Sequence, residues 1–190
     1  MPIREFMHQH FHHFNAAATL DAARAYERFI DEGNRMLVTL AGAMSTAELG
    51  RTLAEMIRRD KVHAVCCTGA NLEEDAFRLL AADEYEPIPN WRALRAEDEQ
   101  ALYDRGMNRV TDTCIPETVM RHMERQLLER WAASTEAGET HMPSEHLAAV
   151  LADPEVAKHF QRPEESWLLA AVEAGIPVFT PGWEDSTTGN

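Results

Sequence analysis

The chain has 190 residues, 45% hydrophobic and 26% charged, with 18 Lys+Arg against 32 Asp+Glu and a formal net charge of −14. That composition suits a folded chain with one sizeable core. The acidic balance excludes a nucleic-acid binder acting through overall charge and suits a small cationic substrate or a cationic partner. No apolar run reaches the ~18 residues of a membrane span, no apolar signal segment opens the chain, and three cysteines make no disulfide framework, which together point to the cytoplasm.

The first fifteen residues are aromatic and His-rich and have no clear period. Apolar residues at helical spacing predict a helix over 20–30, with Gly33 as its stop. Met36 to Ala41 reads as a buried strand. Ser45 with Glu48 three residues on reads as a capping box, opening a helix to about Asp60 that presents Leu49, Leu53, Met56 and Ile57 on one face. The unit then repeats: a buried strand over 62–67, the turn Thr68-Gly69-Ala70, and a helix capped by Asn71 with Glu74. Strand, small-residue turn and capped helix, twice over, predict parallel βαβ units whose turns lie at the ligand-binding ends of the strands. Asp83 to Trp91 reads as a loop. Helices follow over 96–105, 116–133, 143–151 and 163–174, and Ile176 to Phe179 reads as a third buried strand. Three strands are few for a parallel sheet, so a larger folding unit is expected.

Three constellations are candidates for chemistry. The two small-residue turns before capped helices could cradle a dinucleotide phosphate, although ordinary βα turns use the same residues. Glu73, Glu74 and Asp75, read as the first turn of a helix, either complement its dipole or hold ammonium groups, with Glu184 and Asp185 on the same rim. His8, His10, His12 and His13 lack an acidic or thiol partner at metal-ligand spacing and are read as incidental, so no metal site is expected. Cys66-Cys67 falls inside a strand, its side chains on opposite faces, and reads as core. Only two of the 18 basic residues are lysines, Lys61 and Lys158.

Four stretches, 34–50, 62–77, 108–117 and 176–190, together resemble the deoxyhypusine synthase family, in particular its bacterial deoxyhypusine synthase-like branch. The resemblance implies a Rossmann-like α/β fold, of which 1–190 is an N-terminal portion with a helical insertion at about 82–174. It implies a homotetramer and NAD-dependent aminobutyl transfer from spermidine through a lysine imine. The acceptor amine is putrescine, giving homospermidine, or a protein lysine. By motif, dinucleotide contacts fall on Ser45, Thr46, Ala47, Glu48 and Leu49, on Cys67, Thr68 and Gly69, and on Asp185. Polyamine contacts fall on Glu73, Glu74 and Asn190. The family's catalytic lysine lies beyond Asn190, and neither Lys61 nor Lys158 matches it. The chain alone is expected to be inactive. The alternative is a non-catalytic or split-enzyme subunit that keeps the dinucleotide loops and needs a lysine-bearing partner segment.

Overall fold

A computed structural model describes residues 1–189, which divide into Met1–Met36 and a larger unit from Leu37 on. Asn190 lies outside the described residues.

The first unit holds α1 (Ile3–His10) and α2 (Phe14–Asp31). The stretch without a clear period is therefore partly helical. Glu5 in the first turn and His8 and His10 in the last suit the helix dipole, and no residue of α1 is buried. With no core-facing stripe to generate it, the period that marks a helix in sequence is missing. The second helix begins at Phe14, six residues before its first buried side chain, Leu20, and Gly33 follows it at φ +82°.

The larger unit is mixed α/β around a parallel sheet. β1 (Leu37–Leu40) leads through α3 (Gly50–Arg58) to β2 (Ala64–Cys67), and α4 (Gly69–Ala81) follows. Near the end of the chain, a further strand, Val178–Phe179, pairs in parallel with β2, leaving β2 central and β1 at one edge. Register pairs Val38 with Val65 and Leu40 with Cys67. Val65 and Cys67 are buried, and Val38, Leu40 and Val178 pack against the same core as Leu53, Ile57, Leu72 and Trp167. The opposite face carries Leu37, 51% exposed, and Phe179, 39% exposed, with Thr39 and Cys66 between them. The outer strands are thus covered on one face, not buried as their apolar sequences predict.

Between α4 and the last strand lie β3 (Glu86–Pro87), α5 (Ala96–Asp104), β4 (Met107–Val110), β5 (Thr113–Pro116), α6 (Glu117–Ala137), α7 (Pro143–Leu151), α8 (Pro154–Ala157) and α9 (Trp167–Ala174). The last strand is β6. Strands β3, β5 and β4 form a second, antiparallel sheet that the sequence did not announce. Its hairpin turns on Thr111-Asp112, with Thr111 at φ +54°, in place of the Asn-Gly or Asp-Gly that marks such turns. The predicted loop at 83–91 contains β3. The predicted helix at 163–174 begins in earnest only at Trp167, where Ser166 accepts from the Leu169 amide, and ends at Gly175 with φ +65°. α9 packs against α3, α4 and α7, and its Trp167 to Ala171 are buried. That contact explains its run of apolar residues on every side.

Candidate functional site

Both βα turns lie at the carboxyl ends of β1 and β2, as predicted, but they are built differently. After β1 the chain makes tight turns over 42–49, and α3 begins only at Gly50, so Ser45 and Glu48 form no capping box. Ser45 is turned inward. Its amide donates to Asn71 Oδ1 at 3.0 Å, its hydroxyl donates to the Asn71 carbonyl at 2.7 Å, and the Trp167 indole N–H donates to that hydroxyl at 3.0 Å. The Thr46 amide donates to Glu74 Oε2 at 3.1 Å, the Ala47 amide to the Ala43 carbonyl and the Leu49 amide to the Met44 carbonyl. Glu48 stands in the left-handed region at φ +58°, which costs a side-chain-bearing residue about 1–2 kcal/mol, and its carboxylate pairs with Arg51 and Arg78. Leu49, expected on the buried face of the helix, is 54% exposed, because it precedes the helix instead of riding on it.

The second turn has no such delay. Thr68 is the cap of α4, its side chain accepting from the Asn71 amide, so the predicted cap is three residues late. Asn71 instead spans the two turns: it receives the Ser45 amide and donates to the Gly42 carbonyl at 2.6 Å and to Thr68 Oγ1 at 2.8 Å. The segment after β6 closes over this turn. The Ala70 amide donates to the Asp185 carbonyl at 3.1 Å. A Cβ on Gly69 would lie 2.7 Å from the Trp183 carbonyl and 2.9 Å from Ser186, so this position requires glycine for close approach.

Because α4 starts at Gly69, the three acids sit in its second turn, not its first, and each has a different environment. Glu73 is buried and both its oxygens are engaged: Oε1 accepts from the Thr187 amide at 2.8 Å, and Oε2 accepts from the Thr188 amide at 2.8 Å and the Thr188 hydroxyl at 2.7 Å. Asp75 is buried on the other side, accepting from Ser166 Oγ at 2.6 Å and from the Leu168 amide at 3.0 Å, where it holds the start of α9. Burial pushes the Asp75 carboxyl up to about 6, against those donors and Arg78, which pull it down. Glu74 lies between them, half-buried. Burial and the Glu73 charge push its carboxyl up to about 7, opposed by the Thr46 amide. Glu184 and Asp185 are exposed. The rim of convergent carboxylates therefore reduces to Glu74, with Glu73 and Asp75 committed to holding other segments.

Cys67, Thr68 and Asp185 line one cleft of about 300 Å³ together with Thr39, Leu40, Ala41, Cys66, Pro181 and Gly182. That volume is at the small end of ligand pockets. Burial, with the neighbouring Cys66 and Asp75, pushes the Cys67 thiol up to about 12, which makes it an inert wall of the cleft. The hydroxyls of Thr46 and Thr180 and the indole N–H of Trp183 are buried without a hydrogen-bond partner. Such orphaned groups are uncommon and ask for an explanation, a bound species being one. Thr180 and Trp183, which the sequence reading missed, carry no motif that would have marked them. Ser45 and Leu49 line a different, apolar cleft of about 340 Å³ with Val38, Met44, Met56 and Trp167. Lys61 stands before β2, at the end opposite the cleft, and Lys158 is exposed and paired with Glu155 at 2.5 Å. Among the described residues no three His, Cys, Asp or Glu side chains are grouped to hold a metal ion, and no helix is long and apolar enough to cross a membrane.

Comparison with known proteins follows the same residues. The family model for deoxyhypusine synthase matches residues 5–190. A deoxyhypusine synthase-like protein of Coxiella burnetii is 28% identical over 177 residues, covering 89% of this chain and 47% of the relative. Probable deoxyhypusine synthase 1 of Methanosarcina acetivorans is 27% identical over 164 residues, covering 86% of this chain and 47% of the relative. A deoxyhypusine synthase-like protein of Chlorobaculum parvum is 25% identical, covering 84% of this chain and 43% of the relative. The chain thus spans about half the length of the curated relatives it matches. A family match running through both βα turns, the three acids and the segment that closes over them leaves one assignment: the chain belongs to the deoxyhypusine synthase family of transferases.

Proposed function

We propose that this chain supplies the dinucleotide-binding and polyamine-binding half of a Rossmann-like, NAD-dependent aminobutyl transferase. Spermidine is the donor, and putrescine or a protein lysine is the acceptor. The observation that carries the reading is the cleft at the carboxyl ends of the parallel strands, where Cys67, Thr68 and Asp185 meet. Open parallel sheets bind ligands at that end. The cleft walls fit part of a dinucleotide, and Thr68, Gly69 and Asp185 would hold it. NAD, when bound, supplies the hydride acceptor for the carbon beside a secondary amine.

The chain's own residues orient the polyamine. Both oxygens of Glu73 are occupied by Thr187 and Thr188, whereas Glu74 accepts from the Thr46 amide through Oε2. Glu74 is therefore the carboxylate that receives an ammonium group, and Glu73 fixes the segment above it. An ammonium beside Glu74 returns it to the charged form and offsets part of the cost of its burial. The first turn contributes differently from the motif's implication. The Ser45 side chain and the Ser45 and Thr46 amides are already bonded within the protein, so Ser45, Thr46, Ala47, Glu48 and Leu49 serve the cofactor by the shape of the turn, not through those two amides. With Lys61 and Lys158 both away from the cleft, the transfer step draws its lysine from a partner segment, within a cytoplasmic homotetramer or a split enzyme.

Titration calorimetry with NAD and with spermidine tests the reading. Asp185→Ala is expected to weaken NAD at least tenfold and leave the far-ultraviolet circular dichroism unchanged. Glu74→Gln is expected to weaken spermidine at least tenfold. NAD affinity unchanged in a folded Asp185→Ala variant removes the cofactor assignment.

A further inference from the structure

Four charged side chains close a ring under the first βα turn. Arg51 donates through Nη1 to Glu48 Oε2 at 3.1 Å and lies with Nη2 2.8 Å from Glu165 Oε1. Arg78 lies with Nη1 3.0 Å from Glu48 Oε1 and donates through Nη2 to Glu165 Oε2 at 2.6 Å. Each guanidinium thus bridges the same two carboxylates. The ring joins the turn, α3, α4 and the short 3-10 turn Pro163–Glu165, 117 residues downstream of Glu48. Arg78 and Glu165 are mostly buried, with side chains 14% and 16% exposed, so solvent screens their pairing less than that of surface ions.

The downstream side of the ring is itself anchored. Arg58 donates to the carbonyls of Pro163 and Glu164. Asp75 accepts from Ser166 and Leu168, and the residue between them, Trp167, donates to Ser45 at 3.0 Å. The turn is therefore gripped at Ser45 and at Glu48 by one segment, 163–168, whose place is set from α3 and α4. A left-handed Glu48 persists only where its surroundings overdetermine it.

We propose that segment 163–168, acting through the Glu48–Arg51–Glu165–Arg78 ring and Trp167, is a clamp that fixes the first βα turn in its bound shape, with Arg78 and Glu165 as positioning residues for the dinucleotide. The cofactor part of this statement rests on the function proposed above. The clamp itself does not, and the test separates the two.

Amide hydrogen exchange on the 190-residue chain reads the clamp directly. In Glu165→Gln, which breaks the ring on both sides, exchange at 45–49 is expected to accelerate at least tenfold while α6 is unchanged. Arg51→Gln, which removes a more exposed arm, gives a smaller acceleration at the same amides and guards against a Glu165 variant that fails to fold. Arg78→Lys keeps the charge, loses the two-pronged fork, and is expected to behave as Glu165→Gln does. Glu155→Gln, which cuts the exposed Lys158 pair, leaves 45–49 as in the wild type. Unchanged exchange at 45–49 in folded Glu165→Gln, or acceleration spread evenly over the chain, overturns the clamp. NAD titrated into the same variants should bind several-fold more weakly. A loosened turn with unchanged NAD affinity keeps the clamp as a fold device and overturns its positioning role.

Discussion

The two βα turns of the parallel sheet do the same topological work and are stabilised from opposite directions. The turn after β1 is held from beneath: Trp167, at the start of α9, donates to Ser45, and Glu165, just before it, holds Glu48 through Arg51 and Arg78. The turn after β2 is held from above, by the Asp185 carbonyl on Ala70 and by the seat that Gly69 leaves for Trp183 and Ser186. Asn71 and Glu74, both on α4, tie the turns together through the Ser45 and Thr46 amides. A turn held from the core can be rigid before any ligand arrives. A turn covered by a late segment is only as ordered as that segment.

Trp167→Ala should separate the turns most sharply. It empties a fully buried site and removes the donor to Ser45, so a loss of about 3–5 kcal/mol is expected in denaturant unfolding. Exchange should rise at 45–49 before it rises in α4, and equal loosening of both turns would break the comparison. Gly69→Ala attacks the second turn alone. Its new methyl group meets the backbone of the closing segment, and a cost of about 1–3 kcal/mol is expected, with faster exchange confined to 181–189.

Acidity should act at the junction. The fold raises the Glu74 carboxyl from 4.5 to about 7, so the folded chain keeps a proton that the unfolded chain releases. Stability from this group is therefore full below about pH 4.5 and is lost as pH rises through about 7. On the proposed function spermidine should run the other way, because its ammonium would need the ionised carboxylate: affinity should rise roughly tenfold from about pH 6 to about pH 8. Glu74→Gln should flatten both profiles in paired calorimetric and thermal titrations. The smallest effect expected is that of Thr68→Ala, about 1 kcal/mol for a lost helix cap, measured as a shift in urea midpoint.

The parallel βαβ arrangement was legible because β1, β2 and β6 are short apolar runs separated by helical patterns. So were α5, α7 and the Gly175 stop, each marked by a conventional signal. The capping assignments were not. Ser45 with Glu48 satisfies the local pattern, but Trp167 and Arg78, distant in sequence, offer those two residues stronger partners. The β4–β5 hairpin escaped because Thr111 takes a backbone conformation that sequence rules reserve for Gly or Asn. At the site, family resemblance named Cys67, Thr68 and Asp185, and all three line one cleft. Resemblance sets Glu73 and Glu74 apart from Asp75, but neither spacing nor resemblance separates Glu73 from Glu74. That division depends on Thr187, Thr188 and Ser166, which no window of adjacent sequence contains.

The adjacent cysteines of β2 give the sheet a chemical footprint of its own. Cys67 points into the core, its thiol held protonated far above neutral pH, while Cys66 sits half-buried on the opposite face, paired in register with Phe179. An alkylating reagent should therefore modify Cys66 and spare Cys67. Any body seated over Leu37 and Phe179 would shield the first thiol without altering the second. One tryptic peptide, weighed before and after, would then report whether that side of the sheet is covered.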